Sequence, residues 1–165
     1  MTDERVGEGL WPALRRLPPG SGVVLRHHAT APADRRRLIL AVRRIATARR
    51  LVLVVAGGAP AAGTHGAGPD GARGNGSRTW SAHDRREALA GIRAGAAVLF
   101  VSPVFPTRSH PGAPALGAAR AARIGAGLGA AVIALGGMNR RRWLRIRHWG
   151  FHGLAAIDAL SPKIG

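Results

Sequence analysis

The sequence predicts an α/β fold in which buried parallel strands alternate with amphipathic helices, and two observations support this. Short apolar runs such as 51–55 and 96–101 have the length and the branched aliphatic content of strands that are buried on both faces. Longer stretches such as 32–50 carry apolar residues at helical spacing, with arginines over the rest of the surface. This alternation is typical of a parallel sheet whose connections are helices.

The elements can be placed in order along the chain. A first helix is expected over 10–17, because Leu10, Trp11, Leu14 and Leu17 recur at helical spacing before a Pro-Pro-Gly sequence that ends the helix. The later elements expected are the strand 22–28, the helix 32–50, the strand 51–55, the flexible Gly-rich loop 61–78, the helix 84–94, the strand 96–101, the helix 115–129, the strand 130–135, the helix 140–149 and the strand 154–157.

Two of these helices carry more specific expectations. The helix over 115–129 is rich in alanine and glycine, and each glycine costs it about 1 kcal/mol relative to alanine. The helix over 140–149 is expected to be N-capped by Asn139 and to turn Trp143, Ile146 and Trp149 inward.

Length and composition bound the class of protein. A chain of 165 residues is expected to form one domain, 1–165. Cysteine is absent, which excludes disulfides and thiolate metal sites and suits the cytoplasm. No apolar stretch reaches the length of a membrane span, and the N-terminus lacks the pattern of a secretory signal. The expectation is a cytoplasmic protein that does not enter a membrane.

The strongly basic balance is the most unusual feature of the composition. The formal net charge is +17, from 25 lysines and arginines against 8 aspartates and glutamates. Clustered basic residues can bind a nucleic-acid backbone by displacing its counterions. Lys163 is the only lysine, however, and the many arginines, alanines and glycines are typical of a coding bias. Because tyrosine is absent and aromatics are few, bases would find little to stack on, and nucleic acid is not expected as a partner.

The loop after the strand 96–101 is the main functional signal. It reads Ser-Pro-Val-Phe-Pro-Thr-Arg-Ser-His-Pro-Gly over 102–112 and resembles the Gly-Pro-Val-Phe-x-Thr-x-Thr-Lys-x-Gly loop of the thiamine phosphate synthase and thiazole tautomerase family. Two later stretches, 132–138 and 150–157, are similar to that family's Ala-Ile-Gly-Gly-Ile and Gly-Ala-x-Gly-Val-Ala-Val-Ile motifs. All three occur in the family's order, so the resemblance covers roughly the C-terminal half.

The resemblance implies a TIM-type β/α barrel. Such a barrel normally needs about 200 residues or more. This chain has 165 residues and begins at Met1 without the apolar first strand of the family. We therefore expect a barrel that is truncated at its N-terminal strand, and open strand edges would favour pairing into a homo-oligomer.

The resemblance also implies a diphosphate site. In the family, Gln-x-Arg-x-Lys ends the second strand; here Arg26 matches the arginine and His28 stands for the lysine. In the loop 102–112, Thr107 and Ser109 match hydroxyl residues, and His110 replaces a second lysine. These five candidate catalytic residues would hold and neutralise a leaving diphosphate. A solvated strand end is the alternative for His27 and His28.

Four positions are candidates for a second phosphate site. Gly136 and Gly137 follow a buried strand and let backbone amides approach a ligand without a Cβ in the way. Ile157 and Asp158 end the last motif, where the family typically has a serine that receives phosphate. Because a carboxylate repels phosphate, either Asp158 caps a following helix and leaves the amides free, or the phosphate site is lost.

The remaining likenesses concern substrate and metal. His65, Ser81, His83 and Pro103 are the candidate substrate-binding residues by their match to the family's positions. Asp70 falls at the family's second magnesium acid, although an aspartate before a glycine is more typical of a turn. The other magnesium acid is missing, because alanine and glycine follow the strand at 51–55. A single carboxylate holds Mg²⁺ only where substrate phosphates supply further oxygens.

By this resemblance, the expected activity is a transferase that joins hydroxymethylpyrimidine diphosphate to thiazole phosphate in thiamine biosynthesis. Two alternatives stay open. A thiazole tautomerase needs a general acid and base and can dispense with the magnesium acids, but Pro103 stands where that branch has its histidine. A degenerate barrel would bind a phosphorylated ligand without catalysis, which the loss of both lysines and of one metal acid allows.

Overall fold

A computed structural model describes residues 1–56, 64–65, 78–107, 112 and 114–157, with the backbone alone at 64–65 and 78. It confirms an α/β fold in which the paired strands run parallel. The described residues form two compact units, one mainly of residues 1–56 and the other mainly of residues 78–156. That the chain is one domain stays a prediction.

The first unit is built on a pair of parallel strands. Strand β1 (Gly22–Leu25) pairs with β2 (Val52–Val55), with Gly22 opposite Val52 and Leu25 opposite Val55. The helices of this unit are a 3-10 helix (Glu4–Gly9), α1 (Leu10–Arg16) and α2 (Pro32–Ala48). Its core consists of Leu10, Leu14, Val23, Leu25, Val42, Ala46, Leu51, Leu53 and Val55.

The first residues of the chain lie beside β1, which the sequence did not indicate. Thr2 forms a parallel bridge with Leu25: its amide donates to the Val24 carbonyl at 2.9 Å, and its carbonyl accepts from the Arg26 amide at 3.3 Å. A single bridged residue carries no apolar run, so periodicity could not reveal it. The bridge places Asp3 next to the carboxyl end of β1.

The second unit contains a five-stranded sheet with the order β3-β4-β5-β6-β7. Its strands are β3 (Thr64–His65), β4 (Arg78–Ala82), β5 (Ala96–Val101), β6 (Ala131–Ala134) and β7 (Gly153–Leu154). Its helices are α3 (Arg85–Arg93), α4 (Ala118–Gly125) and α5 (Arg140–Ile146). Its core includes Trp80, Ala88, Leu99, Val101, Val104, Ala121, Ile124, Val132, Met138, Ile146 and Phe151.

Several elements are shorter than the sequence indicates. The helix expected over 115–129 is only α4, because Gly117 and Gly127 have φ of +74° and +70°, which an α-helix does not accept. The helix expected over 140–149 ends at Ile146, and Trp149 is 42% exposed rather than inward. Ile146 is buried as expected.

The strands also end early. The strand expected over 22–28 ends at Leu25, and the one expected over 154–157 is β7, only two residues long. Among the helices that the structure describes, none combines the length and the apolarity that a bilayer crossing requires.

Candidate active site

In the second unit, the loop after β5 is hydrogen-bonded to the loop after β6. The Val104 amide donates to the Leu135 carbonyl at 2.8 Å, and the Phe105 amide donates to the Gly136 carbonyl at 3.1 Å. The peptide bond between Ser102 and Pro103 is cis. Because parallel strands present their carboxyl ends at one edge of a sheet, these two hydrogen-bonded loops lie side by side at that edge.

The turn at Gly136 and Gly137 admits only glycine. Both residues have positive φ, +91° and +60°. A Cβ on Gly136 would lie 2.7 Å from the Pro103 Cα, and a Cβ on Gly137 would overlap the Pro106 carbonyl oxygen. The structure therefore brings together two predicted phosphate residues and the predicted substrate residue Pro103.

Arg142 supports the same turn, and sequence reasoning missed it. Its guanidinium donates to the Gly137 carbonyl, and its Cζ lies 4.8 Å from the centroid of the Phe105 ring. The predicted cap on α5 is confirmed, since the Asn139 side chain accepts from the Arg142 amide at 2.9 Å. An arginine in the first turn of the helix that follows a glycine turn is the signal that could have identified it.

The end of β4 carries a histidine–carboxylate pair. Nδ1 of His83 lies 3.0 Å from Oε2 of Glu87, which also accepts from the His83 amide at 2.7 Å. Asp84 caps α3 by accepting from the Glu87 amide at 2.8 Å. Both members of the pair are partly exposed, with 60% of the His83 side chain and 38% of the Glu87 side chain accessible. The predicted substrate residue Ser81 is half-buried in the same strand.

In the first unit, the candidate diphosphate cation Arg26 is already paired. Its Nη2 lies 3.0 Å from Oδ2 of Asp3, which also binds Arg5 at 2.6 Å. The pKa of Asp3 is held below its ordinary value, mainly by the hydrogen bonds from Arg5. The charge of Arg5 and the hydrogen bond and charge of Arg26 act in the same direction, whereas burial opposes them. Arg26 Nε is buried and has no hydrogen-bond partner among the residues that the structure describes.

The two histidines after β1 have different surroundings. His27 is buried, so it is not part of a solvated strand end, and burial lowers its pKa. His28, by contrast, is exposed. Arg35 of α2 donates to the His27 carbonyl at 3.0 Å and to the Ala56 carbonyl, so it ties the ends of β1 and β2 together. This role was not expected, since arginines of this helix were predicted to be solvated.

The other predicted site residues stand as follows. Thr107 and Ile157 are half-buried near the limits of the described segments. His65 lies in β3, of which only the backbone is described. Asp70, Ser109, His110 and Asp158 lie outside the described residues.

The described residues do not make a magnesium site by themselves. No group of three histidines or carboxylates that could hold a metal occurs within the described segments. Ala56, which directly follows β2, has no carboxylate, as the sequence indicates. Mg²⁺ prefers carboxylate and phosphate oxygens, so these residues alone do not fit the ion.

Solved structures with a similar fold include two thiamine phosphate pyrophosphorylases. The protein from Pyrococcus furiosus superposes with a TM-score of 0.74 at 20% identity, covering 96% of this chain and 83% of that one. The protein from Bacteroides thetaiotaomicron gives a TM-score of 0.55 at 18% identity, covering 96% of this chain and 81% of that one. At such identities the likeness shows the fold alone.

Parallel strands, intervening helices and a glycine turn at their carboxyl ends define an α/β protein of the TIM-barrel type. Residues 78–160 match the TMP-TENI model, described as thiamine monophosphate synthase, and the chain belongs to this family. The thiamine-phosphate synthase of Desulfitobacterium hafniense (strain Y51) is 35% identical over 85 residues, which are 51% of this chain and 41% of that protein. The thiamine-phosphate synthase of Salinispora tropica is 38% identical over 82 residues, 49% of this chain and 39% of that protein. The chain thus spans about two fifths of the length of these curated relatives.

Proposed function

We propose that this chain is a thiamine phosphate synthase-like transferase that condenses hydroxymethylpyrimidine diphosphate with thiazole phosphate. The observation that carries the proposal is the turn at Gly136 and Gly137, two successive positive-φ residues with no space for a side chain. Gly136 stands against Pro103, and Gly137 stands against the Pro106 carbonyl. Successive backbone amides in such a turn form a concave binding site for an anion. The family match over residues 78–160 includes this turn and the loop before it.

In the proposed reaction, the bond between the pyrimidine methylene carbon and the diphosphate oxygen breaks first. The electron pair leaves with the diphosphate, and the ring nitrogen of the thiazole forms the new C–N bond with the resulting pyrimidine cation. This step requires positive charge at the leaving group and a fixed orientation of the thiazole more than it requires a nucleophile.

We assign the diphosphate to Arg26, His28, Thr107, Ser109 and His110, as the resemblance implies. Arg26 supports this role because its Nε has no partner among the described residues, although Asp3 offsets part of its charge. His28 is exposed and so is accessible to solutes. We assign the thiazole phosphate to the amides of Gly136, Gly137, Ile157 and Asp158, and contacts with the organic rings to His65, Ser81, His83 and Pro103.

Magnesium is the proposed cofactor, with Asp70 as its candidate protein ligand. Because the described residues do not fit the ion by themselves, the substrate diphosphate would have to bring it.

We further propose that the protein works in the cytoplasm and pairs into a homo-oligomer. Size-exclusion chromatography with light scattering tests the second point, and a monomer at all concentrations contradicts it.

A thiazole tautomerase is the second candidate function, and one observation favours it. The pair formed by His83 and Glu87 places a carboxylate 3.0 Å from one ring nitrogen and leaves the other for proton transfer. An isomerase of this kind needs only a proton donor and acceptor. Since Pro103 replaces the histidine of the tautomerase branch, His83 would have to take that part.

The test is a turnover assay with purified protein, both phosphorylated substrates and Mg²⁺, run beside His110→Ala and Arg26→Ala. Thiamine phosphate formation that falls in both variants supports the synthase. In a parallel arm, the carboxylated thiazole phosphate is supplied without metal, beside His83→Ala. Isomerisation in this arm alone supports the tautomerase, and no product in either arm leaves a degenerate, ligand-binding barrel.

A further inference from the structure

Arg142 connects three parts of the second unit. It projects from the first turn of α5, its guanidinium donates to the Gly137 carbonyl, and it stacks on the Phe105 ring. The guanidinium also stands where a side chain on Gly137 would be, since a Cβ there would lie 2.8 Å from the nearer guanidinium nitrogen. The glycine turn is therefore held between the loop after β5 and the cation of α5.

The charge of Arg142 has no acidic partner within the described part of this unit. Asp84 and Glu87 are the only acidic residues between positions 78 and 157. Asp84 caps α3, and Glu87 binds His83. A guanidinium has five donors in a fixed plane, which suits it to hold a carbonyl and at the same time to attract an anion.

We propose that Arg142 is a positioning residue for the phosphate group of the thiazole substrate. It fixes the carbonyl of Gly137, and so orients the adjoining amides, and it keeps a positive charge beside them. The predicted consequence is selectivity for the phosphorylated thiazole over the thiazole alcohol. This inference rests on the proposed function, because that function supplies the ligand.

The experiment compares Arg142→Gln and Arg142→Lys with Arg141→Gln. Arg141 is the matched control: it is the preceding residue of the same helix, it is exposed, and its loss removes the same charge. Isothermal titration calorimetry measures the affinity of each protein for thiazole phosphate, thiazole alcohol and inorganic phosphate. Steady-state kinetics then gives separate KM values for the two substrates of the condensation.

We expect Arg142→Gln to weaken thiazole phosphate binding roughly tenfold or more, as loss of a charged hydrogen bond would. Affinity for thiazole alcohol and the KM for the pyrimidine diphosphate should change less than about twofold, within the range of a surface charge. The affinity of Arg142→Lys for thiazole phosphate should lie between those of the wild type and Arg142→Gln, because an ammonium keeps the charge but not the planar stacking. Arg141→Gln should match the wild type in every measurement.

A second variant, Phe105→Leu, keeps the inference testable if Arg142→Gln does not fold. It removes the ring beneath the guanidinium. We expect it to weaken thiazole phosphate binding, but less than Arg142→Gln does. Equal affinity for thiazole phosphate in Arg142→Gln and Arg141→Gln would overturn the inference. An equal loss of affinity for thiazole alcohol and thiazole phosphate in Arg142→Gln would also overturn it, and so would a wild type that binds no thiazole phosphate.

Failure of the proposed function gives a different result. If the wild type binds thiazole phosphate but forms no thiamine phosphate, the synthase is excluded. The calorimetric comparison of Arg142→Gln with Arg141→Gln still decides the role of Arg142 in that case.

Discussion

Oδ2 of Asp3 lies 3.0 Å from Nη2 of Arg26, so the cation assigned to the diphosphate shares a buried carboxylate before any ligand arrives. The pairing depends on Thr2, whose backbone lies along β1 and delivers Asp3 to the strand end. Asp3 thereby orients the guanidinium and offsets part of its charge. An arginine held in this way donates to a ligand through its remaining nitrogens.

Replacement of Asp3 by Asn should lower the free energy of unfolding by about 1–3 kcal/mol at pH 7, because it leaves Arg26 without its charged partner. The lowered pKa of Asp3 sets the pH window. The contribution of ionised Asp3 to the free energy of unfolding is complete above the ordinary carboxyl pKa, and it is lost as pH falls through the lower pKa of the native state. Urea unfolding at pH 7 and near pH 3 measures both effects.

The control for Asp3→Asn is Asp34→Asn. Asp34 pairs with Arg37 at 3.1 Å, but its side chain is 62% exposed. An exposed pair of this kind contributes less than about 0.5 kcal/mol. Equal losses in the two variants would contradict the role given to Asp3.

His27 should make the protein less stable in mild acid. Burial lowers its pKa, so the unfolded chain binds a proton at a pH where the folded chain does not. Stability is therefore complete above the ordinary histidine pKa of about 6.5 and falls as pH decreases below it. Urea midpoints between pH 7.5 and 5.5 should show this slope in the wild type and a flatter one in His27→Gln.

Exposed His28 supplies the comparison. His28→Gln is the matched control, because this side chain is exposed whereas that of His27 is buried. If both histidine variants flatten the slope alike, burial of His27 is not its cause. The loss of stability caused by protonation of Asp3 occurs at a lower pH than the one caused by His27, so the two effects do not overlap.

Gly137→Ala should abolish phosphate binding and destabilise the second unit. Alanine at positive φ costs about 1–2 kcal/mol, and overlap with the Pro106 carbonyl adds about 1–3 kcal/mol. The matched control is Gly127→Ala. Gly127 has φ of +70°, and among the described residues no atom other than those of its chain neighbours lies within 4 Å of the position that a Cβ would take. Gly127→Ala should show the backbone cost alone and bind phosphate normally; thermal unfolding and calorimetry with inorganic phosphate check this.

Gly91→Ala should destabilise the protein although alanine is the better helix former. A Cβ at Gly91, in α3, would lie 2.6 Å from Cγ of the buried Trp80. The helix propensity gain of about 1 kcal/mol is therefore outweighed by overpacking of about 1–3 kcal/mol. In a double-mutant cycle with Trp80→Leu, the second substitution should relieve the first, and strict additivity would refute the clash.

Hydrophobic pattern predicted the element types well but their ends less well. Strand β5 was predicted with its observed bounds, and Asn139 was correctly predicted to cap α5. The helix α4 is shorter than expected because glycines on either side of it take φ values that depend on the loops they join. Periodicity reports which face of an element is apolar, and it carries no information on such local turns.

The candidate site was predictable where it rests on a local motif. Gly136, Gly137 and Pro103 were predicted from the sequence alone as site residues, and the structure places Gly136 against Pro103. That they bind substrate stays a prediction. Arg142 was not, because nothing in a run of arginines distinguishes the one that meets Phe105 and Gly137 from its exposed neighbours.

The sequence by itself determined the α/β class, the family and the glycine turn, because buried strands and glycine-rich loops leave local, contiguous signals. Only the tertiary structure decided that Asp3 binds Arg26, that His27 is buried while His28 is exposed, and that Arg142 supports the turn. The physical reason is that these relationships join side chains from separate elements. Their strength depends on distance and on exclusion of water, which no single stretch of sequence specifies.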